Sequence, residues 1–179
     1  MNEVSGPHDK LQQWVLENTP EVADASKVYG AISVDDHEGR IEARRRIDRF
    51  HEALDAIATG NEVAELNANG LKEYMVDGAY VRELFIPADM FIVSRIWKQD
   101  RLWIVASGEI SFTTEMGTQR VAAPYRGMLF PGSKAAVYAH KDTLMFAIVG
   151  TKSQHLSELE DEVTTMDYRD CEYPWNYLD

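Results

Sequence analysis

Residues 79–114 read AYVRELFIPADMFIVSRIWKQDRLWIVASGEISFTT, runs rich in β-branched and aromatic residues broken by Pro87-Ala88-Asp89 and by a turn glycine, Gly108. Each run is shorter than an ordinary helix, and Val, Ile, Phe, Tyr, Trp and Thr are the side chains that suit a pleated, half-buried strand. The same punctuation continues downstream. Ala79–Ile86, Met90–Lys98, Leu102–Ala106, Glu109–Thr114, Gln119–Val121, Met128–Phe130, Ala135–Ala139 and Thr143–Val149 alternate with turn-forming clusters such as Glu115-Met116-Gly117 and Pro131-Gly132. Eight strands within residues 71–150 predict a mainly β unit, a small antiparallel barrel or jelly roll. Closure of such a barrel leaves an interior just wide enough for side chains or one small ligand.

Upstream of this segment the period changes. Leu11, Trp14 and Val15 fall at helical spacing, Thr19-Pro20 supplies an N-cap followed by proline, and Val22 and Tyr29 continue the pattern. Ser33 and Asp36 resemble a capping box, and Ile47, Phe50, Leu54 and Ile57 recur on one face before Gly60. These signals predict a helical N-terminal region over residues 1–70, with one amphipathic helix at about Asp35–Thr59. Its other face carries Arg40, Arg44, Arg45, Arg46 and Arg49 among Glu38, Glu42, Asp48 and Glu52, which reads as a solvated, salt-bridged surface.

Downstream, residues 151–179 form an acidic, aromatic C-terminal tail. Leu156, Leu159 and Val163 could line a short helix, and Tyr168, Tyr173, Trp175 and Tyr177 follow as candidate interaction residues. Between Ser157 and Asp179 there are eight acidic residues against one base, Arg169. Burial of even one Trp is worth a few kcal/mol. The tail is therefore expected to pack on the barrel or on a neighbour.

Composition narrows the function classes. The chain has 179 residues, 45% of them hydrophobic, the size of one ordinary domain. No apolar stretch reaches the ~18 residues of a membrane span, and Met1-Asn2-Glu3-Val4-Ser5 lacks the pattern of a secretory signal, so no membrane contact and a cytoplasmic location are expected. Lys and Arg number 18 against 30 Asp and Glu, and a net charge of −12 repels phosphate backbones, which disfavours generic nucleic-acid binding. The one cysteine, Cys171, has no disulfide partner, and its acidic neighbours should raise its pKa and leave it inert.

The segment from Tyr80 to Gly150 resembles the cupin family, and more closely the small cupin-like proteins encoded by bacteriophages. The resemblance is carried by Arg82-Glu83-Leu84-Phe85-Ile86-Pro87-Ala88, the Ser107-Gly108-Glu109-Ile110 turn, Ala123-Pro124-Tyr125, Pro131-Gly132-Ser133-Lys134, and Tyr138-Ala139 followed by Asp142-Thr143. It implies a barrel whose family motif, G-x5-H-x-H-x3-E-x6-G, holds a divalent metal with imidazole and carboxylate donors. With the last glycine set on Gly108, Asp89 stands at the first glycine, Arg95 and Trp97 at the two histidines and Arg101 at the glutamate; Ala135 stands where a further histidine follows Pro131-Gly132. Guanidinium and indole offer donors only and Ala offers nothing, so this set cannot bind a cation. No metal and no cofactor are expected.

Other catalytic signals are thin. The histidines His8, His37, His51, His140 and His155 share neither i, i+4 nor alternate-residue spacing; His140, near Tyr138, is the one whose surroundings matter most. No nucleophile elbow, phosphate loop or zinc-protease motif occurs, and Glu109 with Glu115 reads as strand-exposed solvation. Two functional readings lead, with an isomerase- or oxygenase-like enzyme as a third, lesser one. The first is a non-catalytic scaffold for protein contact, with a homo-oligomer or virion assembly as partners. The second is a small-molecule binder for an anionic sugar or nucleotide. On strand parity Arg95, Trp97, Arg101 and Trp103 would line the barrel, with Tyr138 beside them. An empty, closed barrel favours the first, and an open pocket with unpaired arginines the second.

Overall fold

The computed structural model describes residues 37–57 and 70–171. The helices expected before residue 37, the stop at Gly60, and Tyr173, Trp175 and Tyr177 lie outside the described residues. Helix α1 (His37–Ile57) precedes strands β1 (Leu71–Val76), β2 (Ala79–Ile86), β3 (Phe91–Val93), β4 (Ile96–Trp97), β5 (Arg101–Ser107), β6 (Glu109–Thr114), β7 (Gly117–Ala122), β8 (Tyr125–Leu129), β9 (Ala136–Ala139) and β10 (Thr143–Gly150). Helix α2 (Leu156–Val163), β11 (Thr164–Thr165) and a 3-10 turn at Tyr168–Asp170 follow.

The strands form a larger sheet ordered β1-β2-β10-β5-β8, a smaller one ordered β3-β9-β6-β7, and the pair β4-β11. Counting β2, β3 and β5–β10 as eight successive strands, the two sheets run 1-8-3-6 and 2-7-4-5, all antiparallel. That order is the jelly roll, a double-stranded β-helix in which consecutive strands pass between two facing sheets. Ile86, Trp103 and Val105 from the larger sheet meet Ile110, Phe112, Val137 and Ala139 from the smaller in one buried cluster. The turn between β5 and β6 needs glycine. Gly108 has φ +90°, and a Cβ there would lie 2.4 Å from the Asp142 carbonyl oxygen.

The helices cover different surfaces. Phe50 and Leu54 of α1 pack on Phe91, Val93 and Ala136, the outer face of the smaller sheet. Leu159 and Val163 of α2 pack with Tyr80, Trp97 and Val149, where the inner face of the larger sheet extends beyond its partner.

Three expectations are corrected. The run Met90–Lys98 is two strands, because Ser94 donates its backbone N–H to Ala135 O and turns the chain out of the sandwich toward β11. Strand β1 went unpredicted; Lys72, Glu73 and Tyr74 are exposed, as suits an edge strand whose polar pattern hides its pairing. The arginine face of α1 is not uniformly solvated. Arg46 and Arg49 bridge Glu42 in solvent, but Arg40 and Arg44 are buried at 7% and 4% exposure, because the segment around Tyr168 returns across that side of the helix.

Candidate functional site

Of the four positions that the resemblance assigns to metal ligands, Trp97 and Arg101 meet at one end of the sandwich. Arg101 opens β5 facing inward and is only 3% exposed. Its Nη1 donates to Ser133 Oγ at 2.9 Å, and its guanidinium sits 4.7 Å from the centre of the Trp97 ring. Burial pulls the guanidinium pKa down, and the nearby Glu115 carboxylate opposes this only in part. Glu115 reaches the site from the turn between β6 and β7. Burial pushes its carboxyl up, against the lowering influence of Arg44, Arg101 and Arg40.

Arg44 of α1 lies 3.9 Å from Glu115 and stacks 4.6 Å from the Tyr168 ring centre. Cys171 approaches the Trp97 carbonyl from the same side, and burial pushes its thiol up. The thiol is thus raised by enclosure first, not by acidic neighbours as expected from the sequence. Arg101, Trp97, Glu115, Arg44 and Tyr168 together make a buried polar plug at the barrel end, built from α1, β4, β5, the β6–β7 turn and the C-terminal segment.

One layer deeper, Trp103 packs edge-on against Phe112 at 4.6 Å and against Tyr125 at 5.2 Å. Gly127 faces it on β8, where a Cβ would lie 2.6 Å from the indole nitrogen. The glycine makes room for the ring, and the ring fills the barrel.

The expected pocket therefore divides. Arg101 and Trp97 do meet, and Trp103 shares their face but belongs to the apolar core. Arg95 turns the other way and pairs with Glu160 of α2 at 3.1 Å, because the chain has left the sandwich at Ser94 and parity no longer applies. Tyr138 is on the outer face of the smaller sheet, since its neighbours Val137 and Ala139 take the inner positions. Its hydroxyl donates to Asp89 at 2.8 Å. Of the tail candidates, Tyr168 is buried at 8% within its own chain and is not a free interaction residue. Glu115, read as solvated, is buried, while Glu109 at the other end of β6 pairs with Arg120 and Lys141.

One arrangement escaped the spacing argument. Ser111 Oγ and His140 Nε2 lie 2.8 Å apart, and burial pulls the imidazole down, which favours its neutral form. The pair resembles a nucleophile with its base. Ser111 is only 4% exposed on the outer face of β6, so a substrate carbonyl has no approach to the hydroxyl. Its signal in the sequence was His140 beside a strand end. Its partner became visible only through the pairing of β6 with β9.

A cleft of ≈640 Å³ lies between α1 and the C-terminal segment, lined by Asp48, His51, Glu52, Asp55, Lys134 and residues 166–169. Its charges are largely paired internally, Lys134 with Asp48 at 2.8 Å and Arg169 with Asp167. Among the described residues no group of three His, Cys, Asp or Glu side chains could hold a metal ion. The donor chemistry at Arg95, Trp97, Arg101 and Ala135 does not fit one either. No helix among the described residues is long and apolar enough to cross a membrane.

No family model matches this chain, and no curated protein matches it. Solved structures do resemble it. A cupin superfamily protein from Desulfitobacterium hafniense is 12% identical over 47% of this chain and 80% of that one, with a TM-score of 0.41. An RmlC-like cupin with a double-stranded β-helix fold from Methanocaldococcus jannaschii is 8% identical over 45% of this chain and 77% of that one, also at 0.41. A conserved protein of unknown function from Streptococcus pyogenes is 18% identical over 46% and 74%, at 0.40. The architecture itself rests on the strand order: this is a jelly-roll protein, mainly antiparallel β, with a helix on its N-terminal side.

Proposed function

We propose that this chain is a metal-free, non-catalytic jelly-roll module that acts by protein contact. The observation that supports this reading is the filled barrel. Its interior is an apolar cluster from Ile86 to Ala139, and its end is stoppered by Arg101 lying on Trp97 and bonded to Ser133. A site emptied of metal donors and refilled with packed side chains leaves the surface as the working part. The setting we propose is the one the sequence resemblance implies, a bacteriophage-encoded virion component or a protein that captures a host partner. The small-molecule reading draws little support, since Arg101 is occupied and Arg95 faces α2.

The test is affinity capture with the tagged full chain from its native source, alongside elemental analysis and native mass spectrometry of the purified protein. A stoichiometric protein partner, or self-assembly, with no retained metal or small molecule is the expected result. One equivalent of Fe, Mn, Ni or Zn retained after dialysis, or a co-purifying anionic ligand, would overturn the proposal.

A further inference from the structure

The cleft between α1 and the C-terminal segment, at ≈640 Å³, has the size of an ordinary ligand site. Lys134 and Tyr168 are 4% and 8% exposed and form its floor, whereas Glu52, Asp55 and Arg169 stand exposed at its rim. Asp48, Glu52 and Asp55 follow at i, i+4 and i+7, so one stripe of α1 turns three carboxylates to the cleft. Pairing among these charges is incomplete. Lys134 is taken by Asp48 and Arg169 by Asp167, which leaves Glu52 and Asp55 without a cation among the described residues. His51 does not supply one. Its Nε2 stands 3.8 Å from Asp55, beyond hydrogen-bond length, and burial first, then Lys134, holds its pKa below the usual value, which keeps the ring neutral.

The floor gives an independent sign of an occupant. The ring of Tyr168 is covered by its own chain, but its hydroxyl has no hydrogen-bond partner among the described residues. Burial first, then the Asp48 carboxylate, pushes the hydroxyl's pKa up, so it lies toward the Asp48 wall of the cleft. A polar group buried without a bond is costly, and a bound group removes that cost.

Everything left uncommitted can accept: two carboxylates, the bare nitrogen of a neutral imidazole and the phenolic oxygen. A guanidinium presents five donors in a planar fork, carries no acceptor and is always charged, whereas an ammonium has only three protons to give. Glu52 and Asp55, at i, i+3, are neighbours on the helix surface and can face one such cation together. The net charge of −12 draws a basic segment in and keeps a second copy of the chain out. We propose that this cleft captures an arginine side chain on a basic segment of a protein partner, with Glu52 and Asp55 as counter-charges and the Tyr168 hydroxyl as acceptor at the floor. The proposal deepens the protein-contact reading and rests on it.

Fluorescence anisotropy with a labelled hexa-arginine peptide and the full chain at physiological salt tests this. Saturable binding of one peptide per chain is expected, tighter than that of hexa-lysine. Glu52→Gln combined with Asp55→Asn should weaken it at least about tenfold, and Tyr168→Phe, which deletes only an orphaned hydroxyl, about threefold or more. Asp77→Asn combined with Asp100→Asn removes the same charge from exposed turns outside the cleft lining and should change affinity less than about twofold. Circular dichroism shows that each variant keeps the fold. An equal loss in that control pair overturns the proposal, because the peptide then senses the whole surface. Equal affinity for hexa-lysine overturns the guanidinium, and arginine amide competing mole for mole with the peptide overturns the protein partner in favour of a free cation. Absence of peptide binding overturns the cleft alone, and a protein partner captured by the same chain then leaves the protein-contact reading standing. Cross-links placing Lys10 or Lys27 in the cleft would assign it to the chain itself, and the proposal falls.

Discussion

Arg101 shows how a buried cation is held by packing and polar contact together. Its guanidinium lies where the resemblance would put a metal-binding glutamate, bonded to Ser133, stacked on Trp97 and within electrostatic reach of Glu115. Truncation leaves Glu115 buried with less compensation. Arg101→Ala is therefore expected to destabilise the fold by about 3–5 kcal/mol. Arg101→Met, which keeps a chain against the indole, should lose clearly less; equal losses in urea unfolding would mean that packing does not discriminate between the two. His140 provides a pH readout at the same scale. Burial first, then Arg120, pulls its pKa below the usual 6.5, so the folded state binds fewer protons than the unfolded one just below that value. The stability it contributes is complete above 6.5 and is lost as pH falls through the lowered folded value. His51 is lowered in the same sense, with Lys134 as its second cause. The urea midpoint should fall from about pH 7 to about pH 5.5, and less steeply in His140→Asn, which retains a partner for Ser111. An unchanged slope in that variant would contradict the assignment.

At the scale of elements, α2 belongs to the fold more than to any partner. Leu159 and Val163 are each 1% exposed against Tyr80, Trp97 and Val149. Leu159→Ala is expected to cost about 2–5 kcal/mol in chemical unfolding. A loss below about 1 kcal/mol would show a loosely docked helix and return this segment to the role of an intermolecular element. Legibility in the sequence follows from how local each element is. The period of Ile47, Phe50 and Leu54 lies within α1 itself, and the helix stands within two residues of its expected ends. β4 and β11 pair through two residues each, Thr164 with Trp97 and Thr165 with Ile96, far apart in the chain, so nothing near either one announces the other. The candidate site shows the same division. Arg101 and Trp97 are near in sequence and meet across the turn between β4 and β5, whereas Glu115, Arg44 and Tyr168 come from distant turns and helices and joined the site only on folding.

For the molecule as a whole, opposing charge and apolar terms set the salt dependence. Two copies of net −12 repel at long range, and salt screens that repulsion while leaving apolar burial in place. Self-association should therefore strengthen between low and physiological salt in sedimentation equilibrium. Weakening with salt would instead indicate a contact carried by the acidic tail.

The order of strand-forming runs and the turn glycines are properties of the chain read from end to end, because strand preference and positive φ are local. Those features determined a mainly β barrel-like unit. Folding alone decided which inward positions meet, that Arg95 leaves the barrel while Arg101 remains, and that Phe85 and Met128 stand exposed on the outside of the larger sheet. Each of these depends on which distant strand becomes a neighbour, and register turns a one-residue difference in the path of the chain into a choice between core and surface.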